Sequence, residues 1–441
     1  MTLSVAIIGS GPAGFYTADA LLKYRDDIEV DIIERLPTPY GLIRGGVAPD
    51  HQTTKKVAKK FERTALTDRV AFYGNVEIGK DLTLAELRDM YDAVILAVGA
   101  PADRKLSIPG ADKKGVHGSA AFVGWYNGHP DFQELEPDLN VDAAVVIGNG
   151  NVALDIGRLL ARSDIGRSKT DLPEYARAAM DESPVKDVYL FGRRGPADAK
   201  FTNVELREML GLTESISMVD PSLLVDSAPD DMDDRAKRLA DKNLDTMRAF
   251  AQRDPAKFEK RVHFEFYASP VEILGDDHVT GIRMERTQVV DGRAVGTGET
   301  FDVPCGLVVA AIGYRAEPIE GLPYDEKLGI IPNDRGRIDR GMYAVGWIKR
   351  GPSGVISSSR PDAAQVIDHI SEDFGDLKGV GSKSGRTGLE KLLKDRGVRA
   401  VSFADWQSLE DAEHARATHP APRQKFTDVD DMIDHLDRPT S

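Results

Sequence analysis

Two parallel α/β units, the second inserted into the first, are the fold that three features of this 441-residue chain predict. Short apolar runs alternate with helix-like stretches, the pattern of parallel strands joined by crossover helices. Two of these runs open into glycine turns. Val5-Ala6-Ile7-Ile8 leads into Gly9-Ser10-Gly11-Pro12-Ala13-Gly14, and Ala143-Ala144-Val145-Val146-Ile147 into Gly148-Asn149-Gly150-Asn151-Val152-Ala153. Two later buried-looking runs each close in glycine, at Gly99 and at Gly313. A chain of this length exceeds one ordinary domain.

A strand, a tight glycine turn and a helix form the unit that binds a dinucleotide. The class is therefore α/β, with two Rossmann-like, three-layer dinucleotide-binding domains. The elements follow in order. Residues 14–23 read as a helix, because Phe15, Ala18, Leu21 and Leu22 recur at helical spacing. Residues 28–33 read as the second strand, and 92–99 as a further strand ending in Gly99. Pro101, Pro109 and Gly110 mark the exit from the first unit. Residues 143–147 start the second unit, and 307–313 close it. Residues 343–347 return to the first sheet, followed by the turn Gly351-Pro352-Ser353-Gly354 and a helix-like stretch interrupted early by Pro361. The expected domains are 1–102 and 318–441, the latter with a C-terminal extension, around an inserted 103–317. The polar stretch 221–260 reads as a surface helix, and the acidic segment 375–441 has no assigned role.

Bulk properties narrow the function. A net charge of −15 argues against nucleic acid as a partner, and no apolar run is long enough to cross a bilayer. The N-terminus shows no basic-then-apolar leader, so a cytoplasmic protein is expected. Cys305 is the one cysteine, which excludes a two-thiol redox relay and with it a disulfide reductase. Among competing interface patterns none stands out, and a monomer is the expected state. No metal site is expected.

The two glycine turns end differently. Gly9 permits the tight turn, Gly11 lets a diphosphate approach the backbone, and Gly14 lets helix and strand pack closely. Glu34 arrives twenty positions after Gly14, placed to accept hydrogen bonds from ribose hydroxyls. In the second turn, Ala153 replaces the third glycine, which needs only to be small. The strand Val188-Tyr189-Leu190-Phe191 then delivers Gly192-Arg193-Arg194 where a carboxylate would otherwise stand. Two guanidiniums suit a 2′-phosphate, so the second nucleotide is expected to be NADP.

Further motifs are more specific. Residues 39–51 (PYGLIRGGVAPDH), 122–128 (FVGWYNG), 148–155 (GNGNVALD), 192–196 (GRRGP) with 201–209 (FTNVELREM), and 346–356 (GWIKRGPSGVI) together resemble the adrenodoxin-reductase-type ferredoxin–NADP reductases. The resemblance runs from about residue 4 to about residue 370 and weakens over 211–300.

That resemblance implies an FAD-dependent NADPH:ferredoxin oxidoreductase, with hydride passing from NADPH to FAD and single electrons leaving to a ferredoxin-type iron–sulfur protein. It makes the first glycine turn, with Gly9, Gly11 and Gly14, the FAD site, and assigns FAD contacts to Ala13, Glu34, Leu42, Ile78, Trp347, Gly354, Val355 and Ile356. It assigns NADP to Asn149, Gly150, Asn151, Val152, Arg193, Arg194, Glu205 and Gly354. Trp347 stands where two-dinucleotide flavoproteins usually carry an acid, and the doubled Gly45-Gly46 departs from relatives in a way that would loosen its loop. His51 and Glu208 are the candidate proton-handling residues. Lys55, Lys56, Lys59 and Lys60, or Lys200, Arg207, Lys349 and Arg350, are candidates for a basic docking face, since ferredoxins are acidic. The alternatives are an NADPH diaphorase reducing quinones and a non-catalytic flavin redox sensor.

Overall fold

The computed structural model describes residues 2–230, 232–375 and 380–438. In chain order the strands begin β1 (Leu3–Ile8), β2 (Ile28–Ile33), β3 (Val70–Tyr73), β4 (Ala93–Leu96), β5 (Ala102–Asp103), β6 (Val116–Gly118), β7 (Ala143–Ile147), β8 (Asp187–Phe191) and β9 (Ser215–Val219). They continue with β10 (Lys260–Glu265), β11 (Ala268–Leu274), β12 (Gly281–Val290), β13 (Arg293–Pro304), β14 (Leu307–Ala310), β15 (Tyr314–Arg315), β16 (Arg337–Asp339) and β17 (Met342–Ala344).

Two six-stranded sheets dominate, ordered β16-β17-β4-β1-β2-β3 and β6-β14-β7-β8-β10-β9. In the first, β1 lies between β2 and β4, parallel to both, with Ile8 level with Ile33 and Leu96. In the second, β7 lies likewise between β8 and β14. Chain order reverses at β1 and at β7, which opens a crevice beyond the carboxyl end of each strand. All strands of the second sheet fall within residues 116–310, and the antiparallel pair β5–β15 ties the two chain crossings together. The fold is therefore the doubly built α/β arrangement the sequence predicts.

Every residue of β1 and of β4 is buried, because helices cover both faces of a parallel sheet. The helix Pro12–Tyr24 buries Phe15, Ala18 and Leu21 and packs beside the helix Ser359–Phe374. Pro361 does not interrupt that second helix. It sits in its first turn, where the missing N–H has no partner to lose. The stretch 221–260 contains the helix Asp234–Ala251, which buries Leu244, Met247 and Phe250 and so belongs to the second core as well as to the surface.

The C-terminal segment is part of the first unit's core. Val401 bridges to Gly74, and Trp406 is fully buried with its ring edge-on to Tyr40. Glu413, buried to 0% exposure, receives both guanidinium nitrogens of Arg44 at 2.9 and 2.5 Å. Lys425 donates to the backbone oxygen of Asn127, so the segment also reaches the inserted unit.

Candidate functional site

Both glycine turns sit at the crevices, and each glycine has a distinct reason to be there. A side chain on Gly9 would lie 2.6 Å from the Ala97 carbonyl, and one on Gly14 would lie 2.2 Å from the Gly9 carbonyl. Gly9 also holds a φ of 103°, a region closed to most side chains. Gly11 faces open space, its nearest neighbour being the Gly41 Cα at 4.0 Å. The second turn repeats the plan. A side chain on Gly148 would lie 2.2 Å from the Ala311 carbonyl, one on Gly150 would meet nothing within 4 Å, and Ala153 is buried. The helices that start there, Pro12–Tyr24 and Asn151–Ala161, have glycine N-caps and no side-chain cap. Their first N–H groups are thus left facing the crevices, a setting suited to a diphosphate.

Glu34, at the end of β2, accepts from Ser10 N–H at 2.9 Å and Ser10 Oγ at 2.7 Å, and from Leu36 N–H at 3.2 Å. Its carboxylate is therefore fixed beside the first glycine turn. Leu42 and Val355 are 44% and 56% exposed at the same mouth, apolar surface of the kind a flat ring system covers. Ile78 is half-buried against the core of the first unit. These features fit a dinucleotide with an aromatic head group. In the second unit, Arg193 is exposed and forms no ion pair among the described residues, whereas Arg194 pairs with Asp198 at 3.1 Å. Asn149 packs on Gly192, and Asn151 Oδ1 accepts from Thr202 N–H at 2.8 Å. Val152 is half-buried against the second core.

The turn from Gly346 to Gly354 is organised by a buried acid the sequence reading passes over. Asp362 accepts from Gly346 N–H at 3.2 Å, Lys349 Nζ at 2.9 Å and Arg350 Nε at 2.8 Å. Trp347 donates from Nε1 to the Ser353 carbonyl at 3.2 Å, and its ring lies near Tyr314. Gly351 and Gly354 have positive φ, and Ile356 starts the turn that runs into the helix Ser359–Phe374. Gly45 and Gly46 stand in ordered backbone. They close the short helix Leu42–Gly45, where a side chain on Gly46 would strike Leu42.

His51 is where the two units meet. Its Nε2 lies 2.6 Å from Glu208 Oε2 and 3.3 Å from Glu205 Oε2, although both glutamates are more than 150 residues away in sequence. Beside it, Arg158 is 1% exposed and donates to Asp50 at 2.8 and 2.9 Å and to Asp155 at 2.8 Å, while Arg162 adds 2.8 Å to Asp50. These acids have the spacing of a metal cluster, but two guanidiniums already supply the positive charge. Of this cluster, His51, Glu205 and Glu208 are sequence-predicted, whereas Asp50, Asp155, Arg158 and Arg162 emerge only in the fold. A signal was present: Asn151, Asp155, Arg158 and Arg162 form one polar stripe on an otherwise apolar helix.

Burial is the largest influence on His51 and opposes its imidazolium, yet the Glu208 hydrogen bond together with the charges of Asp155 and Asp50 outweighs it and leaves the pKa above the ordinary 6.5. The same bond holds Glu208 below its ordinary 4.5, while burial raises Glu205. A raised histidine stabilises the fold below 6.5 and loses that contribution as pH climbs through its folded value. A lowered glutamate stabilises above 4.5 and loses it as pH falls through its own. Both contributions coexist between 4.5 and 6.5. His51→Gln is thus expected to cost most stability in that window and progressively less toward alkaline pH, as read by urea unfolding across pH. A cost that grows with pH would contradict the ion pair.

Neither proposed basic set is exposed as a whole. Lys55 is nearly buried on Asp171 at 2.7 Å, and Lys60 pairs with Asp19 at 2.9 Å, leaving only Lys56 and Lys59 exposed. Lys349 is 8% exposed and committed to Asp362, as is Arg350. Lys200 and Arg207 remain exposed. Cys305 is buried, and burial pushes its thiol up to about 12, far from a reactive thiolate.

Residues 3–183 match the pyridine nucleotide-disulphide oxidoreductase family. The chain is 42% identical over 457 residues to the mitochondrial NADPH:adrenodoxin oxidoreductase of Arabidopsis thaliana, covering 98% of this chain and 95% of the relative. It is 41% identical to the NADPH-ferredoxin reductase FprA of Mycobacterium tuberculosis over 97% of this chain and 98% of that one. The solved structure of M. tuberculosis FprA in complex with NADPH superimposes with a TM-score of 0.95 at 40% identity, over 99% of this chain and 100% of that chain.

Proposed function

As the chain belongs to the family of NADPH:adrenodoxin and NADPH-ferredoxin reductases, we infer that it is an FAD-dependent oxidoreductase passing electrons from NADPH to a ferredoxin-type iron–sulfur protein. The observation that carries this reading is the pair of open glycine cradles, one closed by Glu34 and the other followed by Arg193-Arg194, in two units joined by the His51–Glu208 contact. FAD, when bound, supplies the redox chemistry, since it takes two electrons together and releases them singly.

The chain's residues supply binding and orientation. Gly9, Gly11 and Gly14, with the N-terminus of the helix Pro12–Tyr24, would hold the FAD diphosphate, and Glu34 its ribose. Ala13, Leu42, Ile78, Trp347, Gly354, Val355 and Ile356 would enclose the rest. Gly150, Asn149, Asn151 and Val152 would hold the NADPH diphosphate, and the two arginines its 2′-phosphate. His51 and Glu208 hold a proton between Nε2 and Oε2 at the junction, and Glu205 stands beside them. These assignments go with domains of 1–102 and 318–441 around 103–317, supported by the β5–β15 ribbon at the crossings. Lys200 and Arg207 are the surviving docking candidates. No helix among the described residues is long and apolar enough to cross a membrane. The proposed setting is a monomer in the cytoplasm, with the acidic composition and the lone, buried Cys305 as support.

Purified protein is expected to be yellow and to bleach anaerobically on adding NADPH, with NADH much slower, followed by reduction of added ferredoxin. Reduction of small dyes but of no ferredoxin would instead mark a diaphorase.

A further inference from the structure

The turn carrying Arg193 and Arg194 is fastened from behind by strands that no nucleotide motif includes. Thr287 on β12 is 8% exposed, and its Oγ1 donates to the Arg193 carbonyl at 2.8 Å. Thr287 N–H donates to the Tyr267 carbonyl at 2.8 Å, and Tyr267 N–H returns to the Arg194 carbonyl at 3.3 Å. Ala268 N–H closes the set on the Gly192 carbonyl at 3.2 Å. Three consecutive carbonyls of the turn are thus held by one patch of β11 and β12.

The backbone on that patch is shaped for the task. Tyr267 holds a φ of 54°, a left-handed conformation that side chains rarely adopt. Its hydroxyl lies where a side chain on Gly195 would fall, 2.2 Å away. The β12–β13 ladder breaks register at the same level. Glu285 pairs with Thr300, but Thr287 pairs with Gly296, so two residues on β12 span four on β13. Such bulges re-aim a side chain, and here the irregularity coincides with the threonine that reaches Arg193.

We propose that Thr287 is a positioning residue for nucleotide selectivity: its hydroxyl fixes the Arg193 backbone so that the arginine pair is set before a 2′-phosphate arrives. The inference rests on assigning those arginines to the 2′-phosphate. An arginine side chain has much rotamer freedom, and a fixed backbone reduces what binding must order. Arg194 has a second restraint in Asp198, whereas the exposed Arg193 depends on its backbone alone. Thr287 touches neither nucleotide in this scheme, so it acts only through Arg193.

The test is calorimetric binding of NADP+ and NAD+ to the holoenzyme, with NADPH kinetics alongside. Thr287→Val keeps the shape and removes the hydroxyl. It is expected to weaken NADP+ about three- to tenfold, the worth of one neutral hydrogen bond. NAD+ binding should stay within about twofold. KM for NADPH should rise with kcat retained. Thr287→Ser restores the hydroxyl and should restore selectivity, and in an Arg193→Ala background the valine change should add nothing. If valine weakens both nucleotides equally or neither, or serine fails to rescue, the inference is overturned while the arginine assignment stands. If Arg193→Ala and Arg194→Ala leave the NADP+/NAD+ ratio unchanged, the assignment itself falls and takes the inference with it. Thr287→Ala gives the same contrast should the valine variant not fold.

Discussion

Replacing Arg158 by alanine is expected to destabilise the protein by about 3–5 kcal/mol, the loss that follows when one partner is stripped from a buried ion pair. Arg158 is 1% exposed and satisfies two acids at once, Asp50 from the first unit and Asp155 from its own helix. Without it Asp50 keeps Arg162 at 2.8 Å, but Asp155 keeps no cation at hydrogen-bond distance. Burial already raises the Asp155 carboxyl, so in the variant it would take up a proton. The loop ahead of His51 would lose its main anchor to the second unit, and the His51–Glu208 contact with it. Arg158→Lys should recover little, because an ammonium cannot serve a fork of acids as a planar guanidinium does. Urea unfolding of wild type, alanine and lysine variants reads this directly. A loss below about 1 kcal/mol would place the cluster among surface-like pairs instead.

Removing the arginines after β8 is expected to act on ligand rather than on fold. Each of Arg193→Ala and Arg194→Ala should weaken NADPH by about 1.5–3 kcal/mol per charged hydrogen bond lost, roughly ten- to 150-fold. NADH should change little, since it has no 2′-phosphate to lose. The two positions are not equivalent. Arg194 already pairs with Asp198, whereas Arg193 is exposed and forms no ion pair among the described residues, so Arg193→Ala is expected to give the larger loss. Binding titrations of both nucleotides separate the outcomes, and equal losses for NADPH and NADH would refute the 2′-phosphate assignment.

The fold and the two cradles were legible because their signals are local. A strand that must turn within two residues needs Gly9, and a helix that must pack on that strand needs Gly14, whatever the rest of the chain does. Glu34 was legible for the same reason, since the end of β2 is fixed by its pairing with β1. His51 stands out by its glycine-rich loop and the family resemblance, and Glu208 by its i, i+3 spacing from Glu205, but their contact is illegible because 157 residues separate them. Which of the candidate docking cations are free is not legible, because charge alone does not reveal whether a partner waits in the fold. Lys55 finds Asp171 across 116 residues, and Lys349 finds Asp362 across a turn. The C-terminal segment carries no legible role, since Trp406 and Glu413 take their meaning from Tyr40 and Arg44, more than 360 positions earlier.

The sequence by itself determined two nucleotide units, their order, and which of them carries the acid and which the arginines. Each of those follows from residue type at short range, where backbone geometry leaves few choices. Only the tertiary structure decided which charges are free and which are spent. It also revealed the Arg158 cluster joining the units and the β12 threonine behind the arginine turn. A hydrogen bond depends on distance in space, and between residues a hundred positions apart that distance is set by the whole fold.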